Sequence, residues 1–358
     1  MSTEANNSSA PELTISFAAA GWLQTYQFGV AKAIQELGLD GPNVRLCGSS
    51  AGALAASALI SKVDFDALRE YAVACVVDCH SSAFNAFRIR EYVLVGIERF
   101  AVEKFRNDAQ LREKLNKQFE AYVSVLPWCR TKVMNEFETA EDLEEALIAS
   151  CCLVPLAGLP IKLRKSGEYV CDGGLTAFQP RKNEERTITV SAMYFSRADI
   201  RPSSFLPAWY GLYPPGPKRY REIFDEGYND AIKFLVKERH VDASHLQRLK
   251  TLPKATHETK WDVAVDILTG ICFFLFIRPW AVLIIYAEMF ISTIVLLMVA
   301  AVHATKSAKW EHVYHSLRNM TSFRVFLHTF LGKNVPVNHA RLERHSRVYR
   351  ILKPILYG

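Results

Sequence analysis

The stretch Arg45-Leu46-Cys47-Gly48-Ser49-Ser50-Ala51-Gly52-Ala53-Leu54-Ala55-Ala56-Ser57 decides the fold. At its centre Gly48 to Gly52 spell G-x-S-x-G around Ser50. Val44, Leu46 and Cys47 suit a short buried strand, and the small apolar residues from Ala51 to Ile60 suit a buried helix. Strand, tight turn and helix form the context in which this pattern makes a nucleophile elbow, with the serine hydroxyl pushed out at the end of a sheet. Glycines on either side remove side chains that would collide with backbone at so sharp a bend. A serine at a helix start also faces free N–H groups and the positive end of the helix dipole, which favour developing negative charge. Alone, the motif fits an ordinary glycine-rich βα turn equally well.

Upstream, Leu13 to Phe17 alternates apolar and polar residues and reads as a strand. It runs into the small-residue loop Ala18-Ala19-Ala20-Gly21, then a helix from about Leu23 to Leu37 stopped by Gly38. Strand, loop, helix, strand, turn, helix is the start of a parallel α/β sheet. Both loops lie at the carboxyl ends of strands, where open α/β sheets place their sites. Downstream, Asp64 to Asp78 reads as a helix, and Phe84 to Val123 as two charged helices broken near Asn107. Thr131 to Glu136 suits a short strand, and Thr139 opens a helix with a capping-box pattern. Pro155 and Pro160 mark an irregular turn. Glu168 to Cys171 reads as a strand ending at Asp172-Gly173-Gly174, and Arg186 to Ala192 as another. A proline- and aromatic-rich loop from Pro202 to Pro217 precedes an amphipathic helix from Arg221 to Val236.

Composition bounds the rest. Half of the 358 residues are hydrophobic and 22% are charged, so a large core can be buried. The net charge of +6 is mild, and no zinc-finger or RRM signature appears, which argues against nucleic acid as a partner. The eight cysteines show no paired metal spacing and lie mostly in apolar runs, as buried free thiols in a reducing compartment do. The polar N-terminus, residues 1–11, lacks an apolar signal core and is expected to be disordered.

A serine hydroxyl needs a base to take its proton. In an α/β-hydrolase triad several strands precede the elbow; here only one does. The histidines fall late in the chain, with His80 alone in the globular body. Asp172 is the better candidate, because an Asp-Gly-Gly turn sets a carboxylate at a strand end with no bulky neighbour, although such pairs are also common in plain turns. The loop Ala18 to Gly21 would turn backbone N–H groups into the same crevice, where a developing oxyanion needs donors.

Three signals in this order make a recognisable pattern. The chain resembles the patatin-like phospholipase family, and within it the branch of adipose-triglyceride-lipase-like and adiponutrin-like enzymes. The resemblance covers about Leu13 to Leu235 and rests on the segments Ile15–Ala31, Cys47–Leu54, Tyr169–Gly174, Thr187–Ser191 and Arg221–Leu235. It implies a three-layer α/β/α sandwich with a mainly parallel sheet, and a dyad in which Ser50 is the nucleophile and Asp172 the base. It implies an elbow at Gly48 and Gly52, an Asp-Gly-Gly turn at Gly173 and Gly174, and an oxyanion hole from Ala19, Ala20 and Gly21. No metal and no organic cofactor is implied. The family loop is usually G-x-G-x-x-G, whereas Ala19, Gly21 and Gln24 stand here. If the first position needs positive φ, alanine is strained there.

The composition changes sharply after the last helix. Residues 238–261 read as a basic linker closing a catalytic domain of residues 12–237. Residues 262–303 are almost wholly apolar, interrupted by Asp266, Arg278-Pro279 and Glu288. Trp280 to Val302 is long enough to cross a bilayer core of ~30 Å, while Ile267 to Ile277 is too short, so the pair suits a membrane-associated hairpin. Residues 304–358 form a tail with ten basic residues against Glu311 and Glu343, a net +8, with interleaved aromatics that suit an anionic membrane surface. Lysines on both flanks favour both ends of the hairpin being cytosolic.

The expectation is a glycerolipid lipase or phospholipase A acting at a lipid-droplet or endoplasmic reticulum membrane surface, its catalytic domain facing the cytosol. A glycerolipid substrate and a protein co-activator are the partners expected. An acyltransferase using the same serine, and a catalytically weak lipid-surface scaffold, are the alternatives.

Overall fold

A computed structural model describes residues 13–252, apart from 83–84, 86–87, 127–128 and 155–156. The N-terminal residues 1–11, the hydrophobic segment 262–303 and the basic tail lie outside the described residues, as does Pro155. Among the described residues no helix is long and apolar enough to cross a membrane. The chain divides into two units, Met1–His257 and Glu258–Gly358, and the elements below belong to the first.

The first half follows the expected alternation. β1 (Leu13–Phe17) leads through a short 3-10 turn at Gly21–Leu23 into α1 (Gln24–Glu36). β2 (Val44–Ser49) leads through Ser50 into α2 (Ala51–Ile60), and α3 is Phe65–Ser81. Asp64 caps α3 by accepting from the Asp66 and Ala67 amides. α4 (Ile89–Ile97) runs into a π-helical turn at Glu98–Val102 and then α5 (Glu103–Asn107) and α6 (Ala109–Gln118). β3 (Phe119–Leu126) follows α6 directly and pairs with β4 (Arg130–Met134). α7 (Ala140–Ser150) starts at the expected capping box of Thr139 and Asp142. β5 (Ile161–Lys162), β6 (Tyr169–Asp172), β7 (Thr187–Val190) and α8 (Pro217–Lys237) complete the unit. After α8, a 3-10 turn at Ala243–Arg248 leads to Lys250, whose backbone N–H donates to Asn229 Oδ1 at 2.8 Å.

Two expectations are corrected. Phe119–Leu126 is not the end of a helix but a central strand. Phe119, Ala121, Val123 and Val125 alternate with Glu120, Tyr122 and Ser124, a period of two that follows a helix without any glycine or proline to mark the change. The sheet is also mixed rather than mainly parallel. β7, β1, β2 and β3 are parallel neighbours. Beyond β3 the pairings with β4 and β6, and of β5 with β6, are antiparallel. The short connection from β3 to β4 permits only a hairpin, since a parallel return needs a crossover of a dozen residues or more.

The pleat sorts the two faces. Ile15, Phe17, Leu46, Phe119 and Ala121 join one continuous apolar core with α1, α2, α6, α7 and α8. The opposite face carries Ser16, Ser49, Glu120 and Ser124, and the loop after β6 covers it. Ser49 Oγ donates to Ala177 O at 2.5 Å, Gln179 Nε2 to Ser16 O at 2.9 Å, and Arg181 pairs with Glu120 at 2.7 Å. Among the described residues the layers are therefore helices, sheet and loop, and the expected second helical layer is not among them. The polar alternation explains this, because a face of serines and a glutamate satisfies its groups with loop carbonyls and a guanidinium rather than with an apolar helix stripe.

Candidate active site

The pairing of β3 brings the two ends of the site together. β2 pairs with β3 from Leu46↔Phe119 to Ser49↔Tyr122, running parallel to it. β6 pairs from Tyr169↔Leu126 to Asp172↔Val123, running antiparallel. Residues 121–125 of β3 spend their other edge on β4. A strand has only two edges, so β2 and β6 share one edge of β3 and run head-on toward each other. They stop at adjacent β3 residues, Tyr122 and Val123. Ser50 follows one strand end and Asp172 is the other, although 122 positions separate them in sequence.

Ser50 holds φ 55° and ψ −128°, a strained conformation for a residue with a side chain. Such geometry costs on the order of 1–3 kcal/mol and persists only where its surroundings over-determine it. The surroundings here are specific. A Cβ on Gly52 would lie 2.3 Å from Phe17 O, so only glycine lets α2 start this close to the end of β1. A Cβ on Gly48 would be crowded in the same way, 2.2 Å from Gly52 C. The Ser50 N–H donates to Ser150 Oγ at 2.8 Å, and Ser150 Oγ donates to Tyr122 O at 2.7 Å.

Asp172 is buried at 6% exposure and accepts from the Gly174 N–H at 2.7 Å on Oδ1. The Ser50 hydroxyl favours the charged form of the same carboxylate. Burial pushes the Asp172 carboxyl from its ordinary 3.8 up to about 6, against the opposing pull of the Ser50 hydroxyl and the Gly174 N–H. Asp172 is therefore ionised at neutral pH yet more basic than a solvated aspartate, which suits it to accept the Ser50 proton. Gly173 and Gly174 are packed as the Asp-Gly-Gly reading requires: a Cβ on Gly173 would meet Tyr122 O at 2.0 Å, and one on Gly174 would meet Ala19 Cβ at 2.7 Å.

The three oxyanion candidates separate. Ala19 does not have a free donor, because its N–H donates to Phe178 O at 2.8 Å. Nor is it strained, since the positive-φ residues among those described do not include it. The positive φ of this loop, +55°, falls on Gly21, the glycine that the sequence retains, and a Cβ there would sit 2.0 Å from Gly211 O. Among the described residues the Ala20 and Gly21 N–H groups donate to no protein acceptor, and the same holds for Ala51 at the start of α2.

Two neighbours of Ser50 carry no mark in the sequence. Ser150 and Cys151, at the end of α7, reach Ser50 from 100 positions away. Burial, and after it the Asp172 charge, raises the pKa of the Cys151 thiol, so it stays protonated. Ser-Cys-Cys after an apolar helix is all that precedes them to the eye, and that pattern has no chemical signature. His80 is engaged elsewhere: its ring stacks on Tyr213 with centroids 5.1 Å apart, and Nε2 lies 2.9 Å from Pro214 O.

Comparisons with known proteins point in one direction. A family model described as patatin-like phospholipase matches residues 15–182. Patatin-like phospholipase domain-containing protein 4 of Homo sapiens is 25% identical over 250 residues, 63% of this chain and 97% of that protein. Omega-hydroxyceramide transacylase of Mus musculus is 25% identical over 277 residues, 65% of this chain and 42% of that protein. Patatin-like phospholipase domain-containing protein 2 of Mus musculus is 27% identical over 247 residues, 62% of this chain and 49% of that protein. The match thus spans nearly all of the first relative and half or less of the other two.

Proposed function

The chain belongs to the patatin-like phospholipase family, and we propose that it is a serine acyl hydrolase of glycerolipids working through Ser50 and Asp172. The family supports lipid hydrolysis or acyl transfer as its chemistry. The observation that supports the finer reading is the meeting of the β2 and β6 ends on one edge of β3, which brings Ser50 to a buried carboxylate whose pKa is raised to about 6.

In this reading Asp172 takes the Ser50 proton as Oγ attacks the ester carbonyl. The carbonyl oxygen becomes an oxyanion within reach of the N–H groups of Gly21, Ala20 and Ala51, at the positive end of α2. Collapse breaks the ester C–O bond, and the leaving alkoxide takes the proton back from Asp172. The acyl group now rests on Ser50. Water, losing a proton to Asp172, attacks the acyl-enzyme, and the second collapse returns that proton to Ser50 Oγ and releases the fatty acid. Replacing water by an acceptor alcohol in the second half gives acyl transfer. The match to a protein named as a transacylase favours keeping that second reading.

We place this chemistry at a lipid-droplet or endoplasmic reticulum membrane surface, with the catalytic unit in the cytosol. The apolar segment 262–303 and the basic, aromatic tail support this. The test is a comparison of the full chain with Ser50→Ala on triacylglycerol and phospholipid emulsions, following free fatty acid and, in parallel, acyl transfer to added alcohol. Activity present in the first and lost at least a thousandfold in the second is expected. Equal activity in both removes Ser50 from the reaction.

A further inference from the structure

α7 carries a serine where its pattern calls for an apolar residue. Leu143, Ala146, Leu147 and Ser150 share one face of the helix, and all four are wholly buried. Alanine would pack at the last of them as well, so packing does not explain the hydroxyl. A serine within a helix usually returns its hydroxyl to the carbonyl four residues back. Ser150 spends its one donor elsewhere: Oγ donates across to Tyr122 O of β3 at 2.7 Å, and it accepts the Ser50 N–H at 2.8 Å.

Both partners belong to the junction where the site is assembled. Tyr122 is the last β3 residue paired with β2, and its neighbour Val123 is the first paired with β6. Ser50 lies one residue beyond the β2 pairing, so the sheet offers its N–H no acceptor. Among the described residues that N–H donates to Ser150 Oγ alone. Two residues further along, Cys152 O accepts the Asp172 N–H at 2.9 Å. The end of α7 therefore holds one backbone N–H of Ser50 and one of Asp172. The Asp172 carbonyl is held from β3, by Ser124 Oγ at 2.7 Å.

Ser50 requires such a hold. With φ at 55° it stays in a sparsely populated conformation only while its surroundings fix it there. Gly48 and Gly52 permit the bend, since a Cβ on either would strike backbone, but they do not secure it. The bond from the Ser50 N–H is directional, and its acceptor sits on a helix fixed by the Thr139 capping box and by the buried face behind Ser150.

We infer that Ser150 is a positioning residue: its hydroxyl, together with the Cys152 carbonyl, fixes the separation of Ser50 and Asp172 and keeps Ser50 in the turn from which its Oγ attacks. The inference rests on the Ser50–Asp172 reading for what the geometry serves, but the hold itself is measurable without turnover.

The experiment compares the full chain with Ser150→Ala, Ser150→Thr and Leu143→Ala. Ser150→Ala removes both hydrogen bonds at a position where alanine fits, and Ser150→Thr keeps the hydroxyl. Leu143→Ala opens a hole about two turns earlier on the same face and breaks neither bond, so it reports what lost stability does by itself. The first readout is amide hydrogen exchange at Ser50, under conditions where all four proteins are folded. It should speed up roughly tenfold or more in Ser150→Ala, and stay near the unmodified rate in Ser150→Thr and Leu143→Ala. The second is the rate of fluorophosphonate labelling of Ser50 against pH, per folded protein. Ser150→Ala should lower the plateau above pH 7 roughly tenfold or more and flatten the rise through about 6. Ser150→Thr should recover most of the rate, and Leu143→Ala should keep both plateau and midpoint. If the extra methyl makes Ser150→Thr melt below Ser150→Ala, the comparison with Leu143→Ala decides. Unchanged exchange or unchanged labelling in Ser150→Ala, or an equal loss in Leu143→Ala, overturns the inference. Labelling absent from all four proteins overturns the reading of function instead, and the exchange rates then decide the inference by themselves.

Discussion

At Asp172 the burial that fits the carboxylate for proton transfer works against the fold. Its pKa rises from 3.8 to about 6 because desolvation penalises the charged form. Between those values the folded chain holds a proton that the unfolded chain has released, so stability falls as pH rises through that window and levels off above it. At about 1.4 kcal/mol per unit, the ionised carboxylate costs the fold on the order of 3 kcal/mol at neutral pH. Asp172→Asn keeps an oxygen to accept from Gly174 and removes the charge. It should melt several degrees higher than the unmodified chain at pH 8, lose that advantage at pH 4, and lose activity by roughly a thousandfold. Equal melting temperatures at pH 8 would contradict the account of a strained, buried charge. Ser50 and Asp172 are legible as candidates in the sequence because each sits in a local pattern whose backbone demands are local too. The donors were not. Whether the Ala19 N–H faces a substrate or Phe178 O depends on a loop nearly 160 residues away, and no spacing within Ala18–Gly21 reveals it. Ser150 and Cys151 were invisible for the same reason.

At the scale of elements, the site exists because two strands end nose to nose on one edge of β3. The alternation of β1, α1, β2 and α2 was readable from periodicity and the glycines that close it. β3 was not, because α6 passes into it without punctuation and its buried Glu120 interrupts the apolar run. That glutamate shows how the loop after β6 is held. It accepts from Arg181 Nε at 2.7 Å and Nη2 at 2.8 Å, with Arg45 Nε 3.4 Å away. Arg181 is the loop's anchor to the polar face of the sheet. Arg181→Ala should leave Glu120 half-paired, cost about 2–3 kcal/mol in urea unfolding, and slow acylation of Ser50 by loosening the turn that carries Asp172. Arg181→Lys, which cannot reproduce the two-pronged contact, should fall between. An Arg181→Ala protein with unchanged stability and rate would mean the loop is held by its hydrogen bonds to Ser16, Ser49 and Ala19 alone.

For the whole molecule, the sharp change of composition after α8 divides the chain more plainly than any motif. The family match ends at residue 182, well before that change. The role of the apolar and basic segments is read from composition alone, as a proposed anchor to a lipid surface. Removing residues 263–302 should move the protein from the membrane pellet to the soluble fraction while activity on a short, soluble ester remains. Continued pelleting would contradict the anchor. The central claim, that Asp172 activates Ser50, meets its most direct test in the rate at which a fluorophosphonate labels the full chain across pH 4.5 to 8. The account predicts a single adduct on Ser50, absent in Ser50→Ala, whose rate climbs through a midpoint near 6 as Asp172 ionises and drops to a low, pH-independent level in Asp172→Asn. No adduct on Ser50, or labelling in Asp172→Asn as fast as in the unmodified chain, would contradict it.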